Sequence, residues 1–232
     1  MNNMKEINEI QQMKMALLVM THADVENAQK AYDFVMSESR DFQEKEVEPN
    51  KMTDGIYLIK AVGSPVLFMP ECDKKDCVAV GIKMGSKSIA VALKDAAGGK
   101  DVTLTDSEDK TEYDGYINNC ADAVADWSGK ANTKHLEKIG LNKDIKLEAG
   151  QYIPSVGEMY LIYLHKKALN EALEAVGGES IADDWYWTST EHNSSYTWEV
   201  SISDGSLGIW DGKDTDSSRV RAVSAFIKKQ II

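Results

Sequence analysis

The sequence predicts an α+β fold, and three observations carry that prediction. From residue 53 the chain runs as short β-branched segments punctuated by Gly, Pro and Asp; its centre turns to helical spacing headed by a capping box; and its end alternates again. Taken in order, the segments 55–63 (GIYLIKAVG), 65–70 (PVLFMP), 77–85 (CVAVGIKMG) and 87–95 (KSIAVALKD) read as strands, with loop material at 97–100 and 105–110. Ile117, Cys120, Ala121, Val124 and Trp127 follow helical spacing, with Gly129 as the expected stop. Ser155-x-x-Glu158 is a capping box ahead of the apolar run 159–164, which starts a helix. A second helical stretch, 167–176, ends in Gly177-Gly178, where a left-handed residue is easily placed. Strands are expected again at 185–190, 196–203 and 218–226, with Asp204-Gly205 as a primed hairpin turn.

Residues 1–50 differ in character. Nine of the ten Met precede residue 85, and Ala28, Ala31, Tyr32 and Val35 form one helical face behind a Thr21-x-x-Asp24 cap. The charged run 41–50 (DFQEKEVEPN) follows as a linker. The expected organisation is an N-terminal helical arm and linker over 1–50 and a main domain over 51–232.

Composition narrows the function. With 38 acidic residues against 26 Lys and Arg, the net charge is −12. Nucleic acid is therefore not the expected partner, since phosphate contacts need clustered basic residues. The longest apolar runs, such as 15–20 (MALLVM), fall far short of the roughly 20 residues that span a bilayer, so no membrane insertion is expected. The first residues lack a basic stretch leading into an apolar core, so no signal peptide is expected. Cys72, Cys77 and Cys120 make a poor disulfide framework and lack a zinc spacing; reduced, mostly buried thiols are expected. His22, His135, His165 and His192 are scattered, and no HExxH, GxSxG, Walker or GxGxxG motif is present.

The segments 153–163 (IPSVGEMYLIY), 172–178 (ALEAVGG), 184–205 (DWYWTSTEHNSSYTWEVSISDG) and 218–226 (SRVRAVSAF) resemble C-type-lectin-fold domains of bacteria and their phages. Within that group they are most similar to the variable proteins of diversity-generating retroelements, which include phage tropism determinants. Two earlier segments, 88–96 (SIAVALKDA) and 127–136 (WSGKANTKHL), resemble the upstream part of related lectin-like domains. The likeness spans about residues 53 to 226 and is strongest after 150.

The resemblance implies a C-type-lectin-like fold behind the arm, and a non-enzymatic protein that displays a variable face to a ligand or receptor. It implies Arg219-Val-Arg221 as a scaffold strand bounding the variable stretch. The ligand-binding positions it implies are His192, Asn193, Ser195, Tyr196, Glu199, Ser201, Ser203, Ser206, Gly208, Trp210, Asp211, Asp214 and Asp216. Alternation puts Glu199, Ser201 and Ser203 on one side of their strand, with Val200 and Ile202 on the other. The small and polar residues offer adaptable hydrogen bonds, and Tyr196 and Trp210 supply rigid contact area. The implied partner is a protein or glycan receptor on a target cell surface. The implied setting is a phage or prophage, the protein being made in the bacterial cytoplasm and carried on a virion, as a homo-oligomer and by kinship a trimer. A fixed-sequence adhesive or structural module of the same fold is the alternative. An enzyme of the formylglycine-generating superfamily is less favoured, because no cysteine follows Cys120.

No metal or cofactor is expected. Glu48-Pro49-Asn50 matches the mannose-binding tripeptide of animal lectins but precedes the domain. Asp204, Asp211, Asp214 and Asp216 lack the spacing of an EF-hand. Trp185, Trp187 and Trp198 are expected in the core rather than against a sugar.

Overall fold

Alternating β-branched residues make the first part of the domain a sheet. The structure, a computed structural model, describes residues 52–106 and 113–226. The expected arm of residues 1–50, with its Glu48-Pro49-Asn50 tripeptide, lies outside the described residues, as does most of the loop 105–110. Strands β1 (Gly55–Lys60), β2 (Val66–Leu67), β3 (Cys77–Met84) and β4 (Lys87–Ala92) pair antiparallel in the order β2-β1-β3-β4. Gly85 and Ser86 alone join β3 to β4, with Gly85 at φ 54°, the left-handed value a primed turn needs at its first central position. The strand expected at 65–70 shrinks to β2, because Pro65 and Pro70 bring no N–H to the ladder.

The two faces of this sheet are read directly from the alternation. Ile56, Leu58, Val80, Ile82, Ile89 and Val91 point into the main core. Tyr57, Ile59, Ala79 and Ala90 point to the back, where Phe226 covers them. Phe226 lies so close over Gly81 that a Cβ there would sit 2.4 Å from its ring.

The centre is helical, with two departures from expectation. Helix α1 (Cys120–Ala125) is short, capped by Asn119 Oδ1, which accepts from the Asp122 N–H at 3.0 Å. Gly129 does not stop it; Gly129 opens α2 (Gly129–Ile139). The glycine is required by close approach: a Cβ would lie 2.7 Å from Ser155 N and 2.9 Å from Ile153 O, both backbone atoms. Its role is to let α2 begin against the N-terminus of the next helix. The two helical stretches expected at 156–164 and 167–176 are one helix, α3 (Val156–Ala175), since no Gly or Pro interrupts it after Gly157. Glu158 accepts from the Ser155 N–H at 2.8 Å, as the capping box predicts. At the far end Gly177 has φ 76°, and the bonds Gly178 N–H to Leu173 O (2.8 Å) and Gly177 N–H to Glu174 O (3.1 Å) close a Schellman motif.

The chain then returns to the first sheet. Strand β9 (Val223–Ser224) enters between β4 and β5 (Gln151–Tyr152), completing a six-stranded sheet that joins the two ends of the domain. Only these two residues of the expected strand 218–226 lie in a ladder. Ser218 and Arg219 make isolated bridges, to Val102 and Tyr186.

A second sheet, β6 (Trp185–Glu191), β7 (Thr197–Ser201) and β8 (Leu207–Gly208), sits on the other side of α3. Tyr186, Trp198, Val200 and Leu207 share the main core with Met159, Ile162, Leu169 and Leu173 of α3. Trp187 anchors a separate cluster with Leu104, Leu136, Ile145, Ile153 and Val220. Trp187 and Trp198 are thus core residues, each with its indole N–H bonded at 2.7 Å, to Val102 O and Ile117 O. The architecture is mixed helix and sheet, α+β. Cys72, Cys77 and Cys120 carry free, half-buried thiols, and burial raises those of Cys77 and Cys120. Among the described residues no helix is long and apolar enough to cross a membrane.

Candidate ligand-binding face

Two loops flank β7 and β8 and meet side by side. Loop 192–196 leads into β7, loop 209–217 leaves β8, and a bridge between Tyr196 and Gly212 joins them. The first is folded by its own asparagine: Asn193 Oδ1 accepts from the N–H groups of Ser195 and Tyr196, both at 2.8 Å. The second is folded by Asp216, whose Oδ2 accepts from the Gly212 N–H at 2.8 Å and the Thr215 hydroxyl at 3.0 Å.

What holds loop 209–217 down is a buried cation. Lys213 is 0% exposed, and its Nζ donates to Glu191 Oε1 and to Asn193 O, the latter at 3.4 Å. Glu191 is itself 2% exposed, and its Oε2 lies 2.5 Å from His135 Nδ1 on α2. Tyr113 stacks on the His135 ring at 3.7 Å between centroids. The Lys213 backbone is tied as firmly: its N–H donates to Ser195 O at 3.0 Å, and its carbonyl accepts from Leu104 and Thr105 at 2.8 Å each. The loop therefore hangs from the domain at its middle residue.

A second buried cation anchors the segment leaving the loop. Arg221 is 0% exposed; its Nε lies 2.7 Å from Asp95 Oδ1, and its other nitrogens donate to the carbonyls of Ala92, Glu179 and Ser180. Arg219 reaches Asp184 Oδ2 at 2.9 Å and Asp95 Oδ2 at 3.2 Å. Desolvation nevertheless dominates at Asp95 and raises its pKa. A third hub, Asp126, ties the helices to β6: its Oδ2 accepts from Thr190 Oγ1 and Asn132 Nδ2, both at 2.7 Å, and its carbonyl accepts from Ser155 Oγ and the Gly157 N–H.

The thirteen positions singled out by sequence separate on this frame. Tyr196, Ser203, Trp210 and Asp216 are exposed, Trp210 at 68%; His192, Asn193, Ser195, Ser206, Asp211 and Asp214 are half-buried. Glu199, Ser201 and Gly208 are buried. The expected polar side of β7 does gather Glu199 and Ser201, but both are buried: Ser218 and Asp211 lie against Glu199, and the Ser203 hydroxyl lies 2.8 Å from that of Ser201. Ser203 and Ser206 lie beyond the opposite end of β7, roughly 17 Å along the strand from Tyr196 at about 3.4 Å per residue. Here the turn also departs from expectation. Five residues, 202–206, separate β7 from β8 rather than two, with Gly205 N–H bonded to Ser201 O and Gly205 O accepting from the Tyr160 hydroxyl at 2.7 Å. Asp204 accepts from the Ser206 N–H, which lowers its pKa. The patch brought together is thus loops 192–196 and 209–217.

Beneath that patch lies Glu199, 1% exposed, with no hydrogen-bond partner for its Oε1. Burial, reinforced by Asp211 and Asp216 and opposed by Ser218, pushes its carboxyl up to about 8. Across the ladder from Glu199 is Gly208, over which the rings of Trp210 and Trp185 meet edge to face at 6.0 Å. Among the described residues no three His, Cys, Asp or Glu side chains converge to hold a metal ion.

Sequence reasoning did not single out Lys213, Glu191 or His135. Lys213 did leave one sign, as the lone cation of the otherwise acidic loop 209–217.

No protein-family profile matches the chain, and no curated protein matches it in sequence. In fold it is similar to a fimbrial protein from Bacteroides ovatus ATCC 8483, with a TM-score of 0.55 at 18% identity over 75% of this chain and 49% of that one. This chain spans about half the length of that structure.

Proposed function

We propose that this chain is a non-enzymatic ligand- or receptor-binding protein, built on a C-type-lectin-like fold and displaying a variable face centred on loops 192–196 and 209–216. In this reading it is phage or prophage encoded, diversified by a retroelement, and directed at a protein or glycan receptor on a target cell surface. The observation that carries the reading is a division of labour within one segment. Residues 192–216 expose Tyr196, Trp210 and a run of small polar side chains, while Glu191, Lys213 and Arg221 are buried ions that fix the backbone beneath them. A surface held in that way tolerates replacement of its exposed side chains without loss of the fold. Support for the lectin-like fold comes from β9, which joins the ends of the domain in one sheet and leaves the loops grouped on the smaller one. Assembly as an oligomer would raise weak single-site binding by roughly 10²–10⁴ when several copies engage.

A second reading, a fixed-sequence adhesive or structural module, draws on the likeness in fold to a fimbrial protein. DNA separates the two. Deep sequencing of codons 185–221 in a clonal culture, with the flanking DNA read for a reverse transcriptase and an imperfect repeat, is expected to show substitutions at template adenines. They should fall on codons for exposed loop residues and spare Glu191, Lys213 and Arg221. An invariant segment with no repeat nearby favours the fixed module.

A further inference from the structure

We infer that the face takes a lysine or arginine side chain of a protein ligand, its cationic head lodged between the exposed Trp210 ring and the carboxyl groups of Asp211 and Glu199. The inference rests on the recognition face proposed above and names the chemistry that face accepts.

Three observations converge. The first is the unmet acceptor: Glu199 Oε1 is buried and has no hydrogen-bond partner, an arrangement that is unfavourable unless a donor is supplied. The second is the charge around it. Asp211 is in hydrogen-bond contact with Glu199 and Asp216 lies nearby, so this group of acids favours a positively charged hydrogen-bond donor. The neighbouring cations are committed elsewhere, Lys213 to Glu191 and Arg219 to Asp95 and Asp184. The third is the aromatic wall. Trp210 is 68% exposed and packs against Trp185 over Gly208, the residue directly across the ladder from Glu199. A ring beside carboxylates is the setting in which organic cations bind, through cation–π attraction and charge-assisted hydrogen bonds together.

The same features select among cations. A hard divalent ion wants six to eight oxygen ligands, whereas no three acidic side chains among the described residues are placed to hold one, and one wall here is indole. Glu199 lies below the surface, so the head must arrive on a narrow stem. The methylene chain of lysine or arginine passes beside an indole ring, and an amino-sugar ring does not. The elevated pKa of Glu199 has the sign of a carboxyl lacking its counter-ion.

The test is titration of the full chain at pH 7 with Nα-acetyl-lysine amide and Nα-acetyl-arginine amide. Nα-acetyl-norleucine amide and glucosamine serve as comparisons, and calorimetry is run in two buffers of different ionisation heat. Saturable binding of a lysine or arginine probe, at least tenfold tighter than Nα-acetyl-norleucine amide, is expected. Release of roughly 0.9 proton should accompany it, because a carboxyl about one unit above the solution pH starts mostly protonated and ends ionised. Glu199→Gln should abolish the proton release and weaken binding at least tenfold; Asp211→Asn, at a half-exposed position, gives a second readout if the first variant folds poorly. Preference for glucosamine, binding without proton release, or binding indifferent to both substitutions would overturn the inference. So would no binding of either probe. In each case the recognition face itself stands or falls separately, on the codon sequencing above.

Discussion

Lys213→Met is expected to destabilise the protein by about 3–5 kcal/mol, the range for removing one partner of a buried ion pair. The Lys213 side chain is 0% exposed and that of Glu191 is 1% exposed, so neither charge is solvated by water in the native state. Removing the ammonium strips Glu191 Oε1 of its donor while the carboxylate stays buried, with His135 still at Oε2. Methionine keeps much of the stem, so the loss reports the charge rather than a cavity. Urea denaturation of the wild type, Lys213→Met, Glu191→Leu and the double variant checks this. The double variant should lose less than the sum of the single losses, because replacing both ions by apolar groups leaves no orphaned charge. Additive losses would mean that the two groups do not act as a pair.

The second large effect is in pH. Glu199 rises from an ordinary value near 4.5 to about 8 in the folded chain. Between those values the native state holds a proton that the unfolded state has released, so unfolding loses protons and stability falls as pH rises. The stabilising contribution of the protonated group is complete below about pH 4.5 and is lost as pH passes through 8, with a limiting slope of about 1.4 kcal/mol per unit. Asp95 and Glu158 are raised mainly by burial and bend the curve the same way. Asp73 and Asp204 are lowered, and their contributions lie at more acidic pH, where they are lost as pH falls. Glu199→Gln isolates the one carboxyl: its urea midpoints at pH 5, 6, 7 and 8 should decline less than those of the wild type, the gap widening by up to about 1.4 kcal/mol per unit. A gap independent of pH would show that Glu199 does not titrate in this window.

Much of the fold was legible because the chain obeys local rules. The alternation in 55–63, 77–85 and 87–95 became β1, β3 and β4, and Ser155 with Glu158 began α3 where the capping box placed it. Failures occurred where a distant contact decided. Gly129 reads as a helix stop, but the backbone of 153–155 is what forbids a side chain there. Glu199 and Ser201 alternate as an exposed face would, but both are buried, Glu199 against Ser218 and Asp211 of a segment that returns from β8, and no local pattern encodes that cover. The scaffold of the candidate face was hidden for the same reason: Lys213, Glu191 and His135 are separated by 22 and 56 residues along the chain and meet only in the fold. Trp187 and Trp198 lie in the core as expected, because alternate aromatics on paired strands have few other uses, whereas Trp185, expected with them, is half-buried against Trp210.

Residues 191–221 divide into a replaceable surface and a fixed frame, and paired libraries on the full chain test that division most directly. One library randomises His192, Ser195, Tyr196, Trp210, Asp211 and Asp214 together; the other randomises Glu191, Lys213 and Arg221. Both are displayed, sorted for resistance to proteolysis, and then panned against a set of unrelated surface proteins. The first library is expected to keep its fold in most clones and to yield binders of differing specificity, while the second loses protease resistance in nearly all clones. Loss of fold in the first library, or folded clones that never change what they bind, would contradict the account.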